Sequence, residues 1–244
     1  LPPFIRTPAI NLIGPKCYRT LVENLDLYDE LCLKFAISKV LGVGIVLGGA
    51  IVKLPQLVTL LSSQSGHGVS VIAYILETAA TIISLVYSAR QGFSFSTYGE
   101  GLFISIQNIL ITLLIMYFAR RRAALVGLIG LIIVGCYSLF TTSSSTLAIL
   151  QALTIPLNLL SKVPQIASNF KKKSTGQLSA FAVFNYLLGS LARVFTTITE
   201  VSDPLVLWGY VLAVVLNAVL VIQMVIYWTG AKKGQVKPRK HKRR

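Results

Sequence analysis

The chain has 244 residues, of which 54% are hydrophobic and 13% are charged, and its formal net charge is +15. The charged fraction is about half of that in a typical soluble domain, which excludes an ordinary water-soluble protein of this length. Binding to nucleic acid is also disfavoured, because the basic residues cluster beside long apolar segments and in the C-terminal tail, as they do in the cytosolic loops of membrane proteins.

The predicted elements are apolar segments long enough to cross a bilayer as helices. Residues 1–35 are mixed in character and predict an amphipathic or interfacial segment on the lumenal side. Seven predicted spans follow, at about 36–61, 68–88, 100–119, 123–140, 146–169, 178–199 and 204–228. Residues 229–244 form a basic tail, for which we expect disorder on the cytosolic side.

The basic clusters predict the orientation in the membrane. Arg120–Arg122 follow the third span, Lys171–Lys173 follow the fifth and the basic tail follows the seventh, so all three lie on one side if seven spans are correct. The loops on the other side are poor in Lys and Arg. The positive-inside rule then predicts a cytosolic C-terminus and a lumenal or extracellular N-terminus.

A four-residue motif occurs twice. Lys53–Gln56 and Lys162–Gln165 both read Lys, an aliphatic residue, Pro and Gln. We call the distance along the chain from Lys53 to Lys162 the repeat offset, and the same offset takes Asn108 to Asn217. The sequence therefore contains a duplicated unit whose copies each carry a helix break and a polar residue in mid-span.

The duplication predicts the fold. Spans one to three and spans five to seven become two parallel three-helix repeats, residues 36–119 and 146–228, because span four between them restores the direction of insertion. This linker helix lies within residues 120–145. The predicted fold is an all-α membrane protein with seven transmembrane helices in a 3+1+3 order.

The prolines of the two motifs predict helix breaks, because proline lacks an N–H and clashes with the preceding helical turn. We interpret Pro55 with Gln56 and Pro164 with Gln165 as hinges for alternating access, and a static kink is the alternative. The two Gln side chains are expected to bond the backbone carbonyls that the breaks leave free.

Three cations in the predicted spans are candidates for binding a phosphate, namely Lys53, Lys162 and Arg193. For the lysines, the alternative is that their ammonium groups extend to the membrane interface. For Arg193, the alternative is a buried ion pair with Glu77, since both charges lie deep in predicted spans and neither is stable alone in lipid.

Asn108 and Asn217 are candidates for binding a sugar, together with Gln107. Carboxamides offer both donors and acceptors to sugar hydroxyls. The alternative is a hydrogen bond between helices, which is the ordinary use of a polar side chain in a membrane.

Cys17 and Cys32 lie in the segment predicted to be lumenal, where oxidation is allowed. A Cys17–Cys32 disulfide and two free apolar cysteines remain open as alternatives. The spacing of His and Cys fits no zinc site, and we find no catalytic or cofactor-binding motif. We therefore expect no metal, no cofactor and no enzyme activity.

With its doubled Pro-Gln motif and 3+1+3 order, the chain resembles the PQ-loop family, which includes the SWEET sugar carriers, cystinosin and the KDEL receptors. In SWEET carriers, Asn residues on the third and last helices line the sugar site, and Asn108 and Asn217 occupy similar positions. This resemblance covers nearly the whole chain.

Shorter stretches resemble the mannose-phosphate-dolichol utilisation defect proteins. These stretches are Lys16–Tyr18, Val52–Gln56, Ser96–Glu100, Gly176–Ala180, Gly189–Arg193 and Glu200 with Asp203 and Pro204. The resemblance implies a protein of the endoplasmic reticulum membrane that is required for using dolichol-phosphate mannose and dolichol-phosphate glucose in N-glycan, GPI-anchor and mannosylation pathways. It implies binding of the lipid-linked sugar, with translocation or presentation to transferases as open alternatives.

The partners implied are dolichol-phosphate monosaccharides, membrane lipids and lumenal glycosyltransferases, and no nucleic acid. One alternative function is a small-solute carrier of the SWEET or cystinosin kind, with Glu77 as a proton site. Another is a trafficking receptor of the KDEL-receptor type, with Arg193 reading a peptide carboxylate.

Overall fold

A computed structural model describes residues 2–66, 69–160, 162–175 and 180–227, without the side chains of 158, 159, 180 and 181. The predicted tail, 229–244, lies outside the described residues. The described residues form the α-helices α1 Pro3–Tyr18, α2 Glu30–Ile51, α3 Leu54–Ser63, α4 Val71–Arg90, α5 Phe95–Phe118, α6 Arg122–Thr141, α7 Ser144–Leu160, α8 Val163–Lys172, α9 Ala180–Glu200 and α10 Pro204–Ile226.

The protein is an all-α membrane protein, as predicted. Among the described residues, five helical segments are long and apolar enough to cross a membrane: α2 with α3, α4, α5, α6 and α10. Ser144–Leu157, within α7, is a shorter apolar helix. Several membrane-spanning helices are thus confirmed, whereas the count of seven spans stays a prediction.

The N-terminal segment is more regular than predicted. α1 continues into one π-helical turn, Arg19–Glu23, and α2 begins at Glu30, well before the predicted start of the first span. Asp29 caps α2, because its Oδ1 accepts a hydrogen bond from the backbone N–H of Cys32 at 3.0 Å. A Cys17–Cys32 disulfide joins α1 to α2, which decides between the two alternatives left open by the sequence.

The two motifs have matching backbone geometry. The short helices α3 and α8 that begin at the motifs both have 10 residues, and each ends at a residue in the left-handed conformation, Gln64 with φ 48° and Lys173 with φ 50°. The repeat offset that aligns the motifs also takes Gln64 to Lys173. The duplicated sequence therefore forms duplicated structure at the breaks.

Each break separates two helices instead of kinking one continuous helix, which corrects the sequence prediction. Pro55 and Pro164 both lie in the first turn of the helix after the break, α3 and α8 respectively. Proline is well tolerated there, because the first N–H groups of a helix have no helical partner and the fixed φ of proline already suits the turn. The prolines therefore start a second short helix.

α2 and α5 approach closely at two glycines on one face of α2. A Cβ atom on Gly42 would lie 2.9 Å from the carbonyl oxygen of Ser96, and one on Gly49 would lie 2.5 Å from the Cβ of Glu100. Small residues allow membrane helices to pack this closely. The two glycines thus place the first two turns of α5, with Ser96 and Glu100, directly against α2.

Candidate functional site

A cavity of about 320 Å³ lies between the two predicted repeats, with α4 and α5 on one side and α7 and α10 on the other. We call it the central cavity. Its size is near the lower end of the range for small-molecule sites, roughly 300–1,000 Å³. The wall is mostly apolar, and its polar side chains include Ser84, Tyr98, Glu100, Gln151, Lys162 and Tyr210.

Lys162 brings a positive charge to the central cavity. Its Nζ donates to Oδ1 of Asn217 and lies 5.5 Å from the ring centroid of Tyr186. No carboxylate of the described residues forms an ion pair with it. A cation with no counter-charge beside an apolar wall favours an anion strongly, since little water screens the attraction.

Gln151 brings an unpaired acceptor to the same cavity. Its side chain is 7% exposed, and its Oε1 has no hydrogen-bond partner within the described part of the chain. A buried carbonyl without a partner destabilises a protein by about 1–3 kcal/mol, unless a ligand or water bonds it. Because Gln151 lines the cavity, a ligand with a donor such as a hydroxyl could pair with this oxygen.

A buried polar cluster joins the two repeats. Nζ of Lys39 on α2 lies 2.6 Å from Oε2 of Glu200 at the end of α9, and the two side chains are 9% and 2% exposed. Ser38 and Ser96 donate their hydroxyls to the same carboxylate, at 2.5 and 3.2 Å. We call Ser38, Lys39, Ser96 and Glu200 the inter-repeat network.

Arg193 lies beside this network and forms an ion pair with Glu100 across the repeats. Its Nη1 also donates to the carbonyl oxygen of Ser96 at 3.1 Å. The predicted partner, Glu77, is wrong: Oε1 of Glu77 lies 2.9 Å from Nζ of Lys53 within the first repeat. α5, which carries Glu100, contacts α9, and this contact places Glu100 beside Arg193.

The three predicted phosphate-binding cations are not brought together. Lys53 does not line the central cavity, and Glu77 and the ring of Tyr74 hold its ammonium group. Arg193 is neutralised by Glu100, which does line the cavity. Lys162 alone of the three faces the central cavity without a carboxylate partner among the described residues.

The two predicted sugar-binding asparagines are buried outside the lining of the central cavity, with 0% exposure for Asn108 and 3% for Asn217. Nδ2 of Asn217 donates to the carbonyl oxygen of Tyr186 and to Oγ of Ser190, at 2.9 and 3.1 Å. Asn217 therefore positions Lys162. The carboxamide of Asn108 has no hydrogen-bond partner among the described residues.

The family profile described as PQ loop repeat matches residues 37–97 and 146–206. The chain belongs to the PQ-loop repeat family. The two matches start at 37 and 146, so they are separated by the same repeat offset as the two motifs. A human protein described as solute carrier family 66 member 3 is 23% identical over 186 residues, which cover 76% of this chain and 92% of that protein.

In this PQ-loop protein, the side chain of Gln107 bonds the backbone groups that the first helix break leaves free. Its Oε1 accepts from the backbone N–H of Lys53 at 3.0 Å, and its Nε2 donates to the carbonyl oxygens of Gly49 and Phe103, at 2.8 and 2.9 Å. A continuous helix would join Lys53 N–H directly to Gly49 C=O. Gln107, and not Gln56, therefore bonds the freed backbone groups, and its carboxamide is not available to a sugar.

We expect Gln107→Leu to destabilise the protein by about 2–6 kcal/mol, because it leaves two buried backbone groups unpaired at about 1–3 kcal/mol each. The measurement is the thermal unfolding of the purified protein in detergent. Gln56→Leu is the matched control, since it makes the same change inside the motif and should alter the stability by less than about 0.5 kcal/mol. A larger loss for Gln56→Leu would show that the motif glutamine closes the break.

Proposed function

We propose that this PQ-loop protein binds the headgroup of a dolichol-phosphate monosaccharide in the central cavity and translocates or presents it in the endoplasmic reticulum membrane. The observation that carries the proposal is Lys162, a cation that faces the cavity with no carboxylate partner among the described residues. The ligand class comes from the stretches that resemble the mannose-phosphate-dolichol utilisation defect proteins. The N-terminus would be lumenal and the C-terminus cytosolic.

The cavity offers complementary groups to both parts of such a headgroup. Lys162 donates charge-assisted hydrogen bonds to the phosphate, which are about twice as strong as neutral ones. Oε1 of Gln151 accepts from a sugar hydroxyl, and Glu100 accepts from another. Asn217 and Arg193 then act as positioning residues, because they hold Lys162 and Glu100 respectively.

The helix breaks at Pro55 with Gln56 and at Pro164 with Gln165 serve as hinges in this proposal. Discontinuous helices are common around the substrate sites of carriers, where the two halves rock against each other. The inter-repeat network ties α2 and α5 to α9, so translocation requires that it opens. Presentation of the lipid to a lumenal glycosyltransferase requires no such opening.

One reconstitution experiment separates the outcomes. The purified protein is placed in liposomes with a labelled dolichol-phosphate mannose analogue that has a short, water-soluble tail. Flux above that of empty liposomes supports translocation, and binding without flux supports presentation. The absence of both binding and flux would overturn the proposal, and uptake of free sugar in that case would identify a plain sugar carrier.

A small-solute carrier is the second candidate function, and one observation favours it. The similar human protein is described as a solute carrier. A carrier of free solutes needs no charge for a phosphate, so it leaves Lys162 unexplained. A receptor that reads a peptide carboxylate with Arg193 is less well supported, because Glu100 already neutralises that guanidinium.

A further inference from the structure

Three helices that line the central cavity begin at the same end of the molecule, which we call the network end. α5 begins there, because Ser96 in its first turn bonds Glu200 of the inter-repeat network. α10 begins there too, because it follows Glu200 after a short turn. α4 ends there, since Tyr87 in its last turn bonds Asp203, which caps α10. Arg90 at the end of α4 in turn bonds the side chain of the first residue of α7.

The polar side chains of the central cavity are divided between its two ends. Glu100, Gln151 and Tyr210 line the cavity within about the first two turns of α5, α7 and α10, near the network end. Lys162 follows the last residue of α7, so its backbone lies roughly 15 Å further along than that of Gln151. A headgroup whose phosphate contacts Lys162 therefore directs its sugar towards the network end.

Glu100 connects this end of the cavity to the inter-repeat network. Its carboxylate lines the cavity and forms the ion pair with Arg193 of the other repeat. Nη1 of Arg193 donates to the carbonyl oxygen of Ser96 at 3.1 Å, and the hydroxyl of Ser96 donates to Glu200 at 3.2 Å. Because Glu100 and Arg193 belong to different repeats, opening the network separates them.

The carboxylate of Glu100 has different partners available in the closed and the open arrangement. With the network closed, Arg193 neutralises it, and the two side chains are 17% and 5% exposed. With the network open, both carboxylate oxygens can accept hydrogen bonds from neighbouring sugar hydroxyls. A ligand shifts an equilibrium between two states by its difference in affinity for them, so a sugar at Glu100 favours the open arrangement.

We propose that Glu100 makes the opening of the inter-repeat network depend on the sugar of the bound lipid, an inference that rests on the proposed function. Glu100 pairs with Arg193 in the empty protein and with sugar hydroxyls when the network is open. A phosphate that lacks a sugar binds Lys162, does not reach Glu100 and leaves the network closed. The protein thus distinguishes a dolichol-phosphate monosaccharide from dolichol phosphate by its conformational response.

The test measures the separation of the repeats at the network end by electron paramagnetic resonance. Spin labels are attached at Lys34→Cys on α2 and Ile198→Cys on α9, two exposed positions on helices that pack against each other. A Cys136→Ser background leaves no cysteine outside the Cys17–Cys32 disulfide.

Two ligands are compared at saturation in this labelled protein. One is the short-tailed dolichol-phosphate mannose analogue, and the other is the matching methyl phosphate diester, which keeps the charge and lacks the sugar. We expect the mannose analogue to raise the population with the longer distance about tenfold, and the methyl diester to leave it unchanged.

Two variants separate the opening of the network from the binding of the sugar. Glu100→Gln with Arg193→Met removes both buried charges, so that neither is left unpaired, and its distances should be the same with either ligand. Gln151→Leu removes one sugar contact and should weaken the binding of the mannose analogue by up to about tenfold. At saturation, the Gln151→Leu variant should still open, because it keeps Glu100 and Arg193.

The outcomes of this test are distinct. If the methyl diester opens the network as far as the mannose analogue, or if the variant without Glu100 and Arg193 still responds to mannose, the inference is wrong and the proposed function stands. If the mannose analogue binds without a change in distance, the inference is wrong and presentation is the form of the function that remains. If neither ligand binds the unaltered protein, the proposed function is wrong and the inference falls with it.

Discussion

Glu200→Ala should lower the free energy of unfolding by about 3–5 kcal/mol, because it leaves the ammonium group of Lys39 buried and charged without a partner. The two side chains are 9% and 2% exposed, and their charged atoms are 2.6 Å apart. In a thermal-unfolding measurement in detergent, a loss of this size lowers the midpoint by roughly 6–20 °C for a chain of this length. Lys39→Ala should have an effect of similar size.

Two further variants show whether the loss arises from a buried charge. The double variant Lys39→Met with Glu200→Met removes both charges and should recover most of the stability. Glu30→Ala breaks the exposed ion pair with Lys34, whose side chains are 78% and 57% exposed, and should alter the stability by less than about 1 kcal/mol. A double variant as unstable as Glu200→Ala would mean that the carboxylate acts mainly through Ser38 and Ser96.

Sequence patterns were sufficient to predict an all-α membrane protein and the two helix breaks. Long apolar segments determine where helices lie in a membrane, and the doubled Pro-Gln motif marks both breaks, which the structure places at Val52–Lys53 and directly before α8. The repeat offset recurs between the left-handed residues Gln64 and Lys173. These features are local, so one sequence carries enough information to predict them.

The ion pairs between the repeats were not predicted. An error of a few residues in a helix boundary changes whether a charged residue is expected inside the membrane or at its surface. The predicted first span starts at residue 36, whereas α2 begins at Glu30, so Lys39 lies buried in the third turn of the helix. Glu100 was placed at the very start of the third span, whereas α5 begins at Phe95. Boundary errors of a few residues are usual for sequence-based prediction, and here they hid the contacts between the repeats.

The two repeats also differ in the partners of their equivalent lysines. Lys53 and Lys162 occupy equivalent positions, but the repeat offset takes Glu77 to Tyr186 in the second repeat. Lys53 is therefore neutralised by Glu77, whereas Lys162 lies near an aromatic ring and an amide. An alignment of the two halves showed the shared lysine, and only the contacts showed which lysine keeps an uncompensated charge.

Lys162→Met should weaken the binding of the short-tailed dolichol-phosphate mannose analogue by about 10–100-fold, since a hydrogen bond to a charged group contributes roughly 1.5–3 kcal/mol. Lys53→Met is the matched variant in the other repeat and should change binding little, because Lys53 does not line the central cavity. Lys162→Arg, which keeps the charge, should retain part of the affinity. Equal losses for Lys53→Met and Lys162→Met would contradict a phosphate site in the central cavity.

The thermal stability of the Lys162→Met variant provides a second test of this prediction. Lys162 is half-buried and lacks a carboxylate partner among the described residues, so its charge destabilises the empty protein. Lys162→Met removes this charge but also leaves Oδ1 of the buried Asn217 without its donor, at about 1–3 kcal/mol. The two effects oppose each other, so the thermal midpoint should change little while binding is lost, which is the pattern of a residue kept for function and not for stability. A midpoint that falls together with the affinity would instead mean that Lys162 supports the fold through Asn217, and that the anion site lies elsewhere.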